Sequence, residues 1–122
     1  MKILLTGSTG QVGTAIKNRL NQLKKYKVLS LTRNECDLTK LDSLKKSINK
    51  YQPELIINAA AYTKVDQAED DIDLAYLINS KAVKILSESA KDLDVPLIHF
   101  STDYVFDGTK EGKYNEKDNP NP

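Results

Sequence analysis

Leu4-Leu5-Thr6-Gly7-Ser8-Thr9-Gly10-Gln11-Val12-Gly13 is the stretch on which the fold turns. The apolar run Ile3 to Leu5 enters three glycines spaced G-x-x-G-x-x-G, and a helical pattern follows at once. That order is strand, tight turn, helix N-terminus. It lets backbone N–H groups reach a pyrophosphate, and the positive end of the helix dipole favours the negative charge. In such a fingerprint Gly7 permits the turn, Gly10 lets the backbone approach the phosphates and Gly13 lets the helix pack against the sheet. A lone glycine triplet is weak, and an ordinary strand-to-helix turn with spare glycines competes with it. Its place directly after an N-terminal strand is the context the fingerprint requires.

The rest of the chain alternates in the same way. Lys2 to Thr6 reads as a buried strand and Gln11 to Lys25 as a helix with Val12, Ile16, Leu20 and Leu23 on one face. Tyr26 to Thr32 reads as a second strand. It leads into Thr32-Arg33, where a neutral residue beside an arginine points to the 2′-phosphate of NADP. On spacing alone a solvated loop arginine explains Arg33 equally well. Thr39 and Asp42 have the spacing of an N-cap with an acid in the first turn. Leu41, Leu44, Ile48 and Tyr51 then mark a helix face that Gln52-Pro53 ends. Leu55 to Ile57 is a third buried strand, running into Asn58-Ala59-Ala60-Ala61-Tyr62. Small side chains at a strand's C-terminal end let a flat ligand approach the backbone, and close helix packing is the alternative.

Asp66 and Glu69 carry capping-box spacing. A helix from about Asp73 to Asp92 has Leu74, Ile78, Ala82, Ile85 and Ser89 along one stripe and Asn79 in its middle. Val95 to Phe100 is a fourth strand. His99, the only histidine, reads as a packed strand residue, with no acid or nucleophile placed to make it a base. Ser101-Thr102-Asp103-Tyr104 puts two hydroxyls and a carboxylate at the mouth of the sheet. Lys110 to Pro122 is polar and reads as a surface loop without a closing element. The alternation gives an α/β, Rossmann-like, doubly wound parallel sheet over residues 1–122, incomplete at its C-terminus.

Composition narrows the function. A net charge of +1 gives no electrostatic footprint for nucleic acid or an anionic membrane. No apolar run approaches membrane-spanning length, and Met1-Lys2-Ile3 enters a strand with no room for a signal peptide, so cytoplasm is the expectation. The single Cys36 excludes an internal disulfide and has no companions for a metal.

Thr6-Gly7-Ser8-Thr9-Gly10-Gln11-Val12-Gly13, Cys36-Asp37-Leu38-Thr39, the segment Asn58 to Glu69, Ile78-Asn79 and the segment Ser101 to Gly108 occur in the order found in the extended short-chain dehydrogenase/reductase family, which the chain resembles throughout its length. The Ala-rich segment and Ser-Thr-Asp-Tyr-Val-Phe-Asp-Gly are far more specific than the glycines. The resemblance implies that Gly7, Gly10, Gln11 and Val12 line a pyrophosphate, that Asp37 and Leu38 flank adenine, and that Ala60, Ala61 and Tyr62 border the ribose and nicotinamide. It implies that Asn79 braces the site and that Thr102 stands where the family has its catalytic Ser, with Thr102 and Asp103 contacting a sugar. The reaction implied is hydride transfer from NADPH, or NADH, to the 4-keto carbon of a dTDP-linked 6-deoxyhexulose, in a protein that forms a homodimer at full length. A noncatalytic regulatory subunit on the same fold, or a reductase or epimerase of another nucleotide sugar, are the alternatives.

One departure bears on activity. The family donates its proton from the Tyr of a Tyr-x-x-x-Lys motif. Tyr26, Tyr51, Tyr62, Tyr76, Tyr104 and Tyr114 are followed at that spacing by Ser30, Leu55, Asp66, Ser80, Gly108 and Asp118. In the family the motif comes soon after a segment like Asp118-Asn119-Pro120-Asn121-Pro122. The chain therefore reads as the cofactor-binding N-terminal portion, inactive by itself.

Overall fold

The structure is a computed structural model and describes residues 1–32 and 35–122. Four strands, β1 (Lys2–Thr6), β2 (Lys27–Ser30), β3 (Leu55–Asn58) and β4 (Leu97–His99), form one parallel sheet in the order β2-β1-β3-β4. The inner strands β1 and β3 are apolar on both faces, as a parallel sheet covered on both sides requires. Their side chains alternate. Leu4 and Ile56 enter one core with Leu44, Ile48, Leu86 and Ala90, from helices α2 (Leu41–Tyr51) and α5 (Ala82–Asp92). Ile3, Leu5 and Ile57 point to the opposite face, where α1 (Gln11–Gln22) brings Ile16 and Leu20. Each fully buried Leu or Ile contributes about 1.5–3 kcal/mol of transfer free energy.

The chain leaves β1 toward β2 on one side and returns through α2 to β3 on the other. The order reverses between β1 and β3, and the crevice beyond the carboxyl ends of those strands is where ligands of open α/β sheets bind. The last rung of the ladder, Thr6 opposite Asn58 opposite His99, is polar. The Asn58 Oδ1 accepts from the Thr6 hydroxyl at 2.5 Å and the Ala60 N–H at 3.2 Å, while its Nδ2 lies 3.0 Å from His99 Nδ1. A single side chain thereby ties three strand ends together. His99 takes its place in β4, but exposed rather than packed.

Several local expectations differ from the structure. The first helix stops at Gln22, and Val12 and Leu23 are exposed: Val12 sits in the first turn, and Leu23 is the C-cap before Lys24 turns left-handed. Thr39 does not cap α2. Its hydroxyl and N–H both donate to Asp37 Oδ1, at 2.6 and 3.0 Å, and Lys40 takes the cap position with no side-chain bond. The Asp66/Glu69 capping box does not form, since Asp66 lies inside the four-residue helix α3 (Val65–Ala68). The long helix begins as α4 (Ile72–Tyr76), widens into a π turn at Leu77–Lys81 and resumes as α5. No described helix is long and apolar enough to cross a membrane.

The polar end of the chain is ordered by hydrogen bonds rather than by apolar packing. Asp107 gathers Thr109, Tyr114 and Asn121, the Phe106 and Tyr114 rings stack with centroids 4.3 Å apart, and Lys110 pairs with Asp118 at 2.7 Å.

Candidate functional site

The turn Gly7–Gly10 is shaped by what its neighbours leave room for. Gly7 has φ +70°, and a Cβ there would lie 2.5 Å from the Ala59 carbonyl carbon and the Ala60 nitrogen. A Cβ on Gly13 would overlap the Gly7 carbonyl. These two glycines therefore set how closely the turn, β3 and α1 approach. Gly10 differs. A Cβ there would meet only the Gly7 oxygen, at 3.5 Å, so this position faces open space. Gly10 is also the N-cap of α1, with no side-chain cap bond and no acidic residue in the first turn. The first-turn N–H groups and the positive end of the helix dipole are left for an external anion, which fits a dinucleotide pyrophosphate.

A cleft of about 290 Å³ opens beside this turn. Gly7, Gly10, Asp37, Leu38, Ala60 and Ala61, all expected at a cofactor site, line it. Sequence reasoning missed Ile78, which it had placed on the core stripe of the long helix, and Cys36. Burial, with the Asp37 charge beside it, pushes the Cys36 thiol up to about 11, so this cysteine is an apolar filler and not a nucleophile at neutral pH. Gln11 and Val12 sit exposed in the first turn of α1, beyond the cleft lining. Arg33 lies outside the described residues. At the end of β2 the Glu35 carboxylate accepts from the Thr32 N–H at 3.0 Å and the Thr32 hydroxyl at 2.8 Å, and these bonds hold its carboxyl below the usual range.

Tyr62 and Asn79 are brought together away from the cleft lining. The Tyr62 N–H donates to Asn79 Oδ1 at 2.8 Å and Asn79 Nδ2 donates to the Tyr62 carbonyl at 3.0 Å. The Tyr62 hydroxyl donates to Asp71 at 2.9 Å; desolvation and this bond raise its pKa, which ill suits it to donate a proton elsewhere. Thr102 and Asp103 lie in a separate place. They follow β4 at the same carboxyl edge of the sheet, both exposed, where Asp103–Val105 forms a 3₁₀ turn capped by Thr102. The Thr102 hydroxyl accepts from the Tyr104 N–H at 3.2 Å and makes a long bond to Asp103 Oδ1 at 3.3 Å, which an incoming carbonyl can displace. Among the described residues no group of His, Cys, Asp and Glu is placed to hold a metal ion.

Residues 1–122 match the family described as the RmlD substrate binding domain. A dTDP-4-dehydrorhamnose reductase from Aggregatibacter actinomycetemcomitans is 44% identical over 117 residues, covering 96% of this chain and 40% of the relative. The crystal structure of a dTDP-4-dehydrorhamnose reductase ortholog from Clostridium acetobutylicum superposes with a TM-score of 0.94 at 38% identity, over 100% of this chain and 43% of that one. The dTDP-4-dehydrorhamnose reductase from Bacillus anthracis, solved in complex with NADP, gives a TM-score of 0.91 at 35% identity, over 99% of this chain and 43% of that one. The chain spans about 40% of the length of the curated relatives it matches.

Proposed function

We propose, from the premise that this chain belongs to the RmlD substrate binding domain family, that residues 1–122 are the cofactor-binding part of a dTDP-4-dehydrorhamnose reductase. The whole protein reduces dTDP-6-deoxy-L-lyxo-4-hexulose to dTDP-L-rhamnose with NADPH, NADH being the alternative donor. It works in the cytoplasm as a homodimer. The observation that carries this reading is the apposition of the Gly7–Gly10 turn, at an uncapped helix N-terminus, with the small Ala59–Ala61 end of β3 across the point where the strand order reverses.

The bound dinucleotide supplies a hydride to the keto carbon. The residues of this chain bind and orient the reactants. First-turn N–H groups of α1 neutralise pyrophosphate charge, with Gln11 and Val12 at the rim and Gly10 keeping the approach open. Asp37 and Leu38 bound the adenosine end of the cleft, and Arg33 receives the 2′-phosphate. Ala60 and Ala61 form a wall without bulk, and Asn79 fixes its far end through the Tyr62 backbone. Thr102 turns its hydroxyl from Asp103 to the keto oxygen, where negative charge develops as hydride arrives. Asp103 contacts the sugar. No tyrosine of this sequence has a lysine four residues on, so these residues hold no activated proton donor.

The test follows NADPH oxidation with dTDP-6-deoxy-L-lyxo-4-hexulose in the whole reductase and in residues 1–122. The whole enzyme turns over, Thr102→Val lowers kcat by ~10²-fold, and the 122-residue chain shows no enzymatic rate. Unchanged kcat in Thr102→Val would remove the catalytic assignment. An inactive whole protein that still binds NADPH would favour a regulatory subunit.

A further inference from the structure

The turn that carries Thr102 and Asp103 has little of its own to hold it. It follows a three-residue edge strand, and Thr102, Asp103 and Tyr104 are exposed, Tyr104 at 81%. What grips it comes from further along the chain. The Asn121 N–H donates to the Val105 carbonyl at 2.8 Å, at the end of the turn, and the Asn121 side-chain amide donates to Asp107 at 2.7 Å. The other Asp107 oxygen accepts from the Thr109 N–H at 3.0 Å, the Thr109 hydroxyl at 2.8 Å and the Tyr114 hydroxyl at 3.0 Å. Tyr114 in turn stacks on Phe106, whose N–H donates to the Asp103 carbonyl at 3.1 Å. One carboxylate accordingly collects four donors from three residues of the following loop and returns that loop to both ends of the Asp103–Val105 turn. With so many donors its carboxyl is held far below the usual range, so the acceptor is charged throughout the neutral range.

We propose that Asp107 is a positioning residue, which fixes the orientation of Thr102 and Asp103 by clasping the 109–121 segment against the turn that carries them. This rests on the reading of Thr102 and Asp103 as the groups that meet the sugar. Hydrogen bonds to an ionised acceptor are roughly twice as strong as neutral ones, and these four draw three residues of the loop onto one carboxylate. A preset turn spares the ordering cost that a mobile Thr102 would incur on meeting substrate.

The experiment is NMR on the 122-residue chain, comparing wild type with Asp107→Ala. Amide exchange is read at Tyr104, Phe106 and Asn121, chemical shifts at Thr102 and Asp103, and NADPH-induced shifts at Gly7–Gly13 in the same samples. Asp107→Ala speeds exchange at Phe106 and Asn121 by ~10-fold or more and moves the Thr102 and Asp103 resonances toward unstructured values. The glycine-turn resonances and their response to NADPH stay as in wild type. Unchanged Thr102 and Asp103 resonances in Asp107→Ala overturn the proposal. If Asp107→Ala does not fold, Asn121→Ala removes one arm of the clasp and is held to the same two outcomes. A wild-type chain that gives no NADPH response counts against the functional reading instead, and leaves the exchange comparison to decide the clasp.

Discussion

Asn79 holds Tyr62 by both of its backbone polar groups, accepting from the N–H at 2.8 Å and donating to the carbonyl at 3.0 Å. Asparagine is unfavourable in the interior of an α-helix, yet Asn79 sits in the middle of a long one. The helix widens there into a π turn over Leu77–Lys81, and such turns are frequent at functional sites. The bond pair fixes the end of the Ala60-Ala61-Tyr62 wall while Ile78, one residue earlier, lines the cleft.

Asn79→Ala removes both bonds. Each contributes about 0.5–1.5 kcal/mol net, so stability falls by about 1–3 kcal/mol. NADPH affinity falls by more than that loss of stability implies, because the 60–62 wall loses its anchor. Calorimetric titration beside a melting curve checks this, and unchanged affinity would show that the wall holds its place without Asn79.

The glycines separate folding from binding. Gly13→Ala drives a Cβ into the Gly7 carbonyl, and the backbone must shift at a cost of about 1–3 kcal/mol. Chemical denaturation reads that loss in the absence of any ligand. A Gly13→Ala chain as stable as wild type would mean that α1 does not pack where the structure puts it.

Glu35 bears on cofactor choice. Its carboxylate is tied to Thr32 at the end of β2, the strand end that meets the adenosine ribose in dinucleotide folds. A fixed negative charge there opposes a 2′-phosphate, and Arg33 is the residue proposed to attract one. Glu35→Gln shifts the ratio of NADPH to NADH affinity toward NADPH by ~3-fold, and Arg33→Ala shifts it the other way by ~10-fold or more. Parallel titrations with both cofactors measure the two ratios; ratios unmoved by either substitution would place the phosphate elsewhere.

Ser89 is a stability test independent of the site. It lies on the buried face of α5, 2% exposed, and its hydroxyl has no hydrogen-bond partner among the described residues. An unsatisfied buried hydroxyl costs about 1–3 kcal/mol, and alanine is the better helix former. Ser89→Ala raises Tm by on the order of 4 °C. A lower Tm would show that the hydroxyl is satisfied in solution.

Much of this architecture was legible in the residues because independent signals agreed. The apolar runs at Ile3–Leu5 and Leu55–Ile57, separated by a helical pattern, specify inner strands of a parallel sheet, and both are buried. Gln52-Pro53 ends α2 as read, with Gln52 left-handed at the C-cap. Capping was misread where short polar residues had a better local partner. Thr39 has cap spacing, but Asp37 two residues earlier takes its hydroxyl, a competition that spacing does not reveal. The π turn at Leu77–Lys81 has no periodic signature, since an unbroken apolar stripe passes through it. The order in residues 107–121 was hidden because it is built from polar side chains around Asp107. Asp107-Gly108-Thr109 did carry a turn signal, and a carboxylate bonding the backbone two residues on is what that signal denotes.

A titration of the 122-residue chain with NADPH, beside a Gly10→Val chain, reads directly whether the Gly7–Gly10 turn holds the pyrophosphate. Gly10 faces open space, so valine there fits without a clash, at the modest cost of a poorer N-cap, while occupying the approach to the α1 N-terminus. Saturable, one-to-one binding to the wild-type chain is expected, weakened by ~10-fold or more in Gly10→Val, with Tm lowered by only a few degrees through the poorer N-cap. Equal binding by the two chains, or none by the wild-type chain while it is folded, would contradict it.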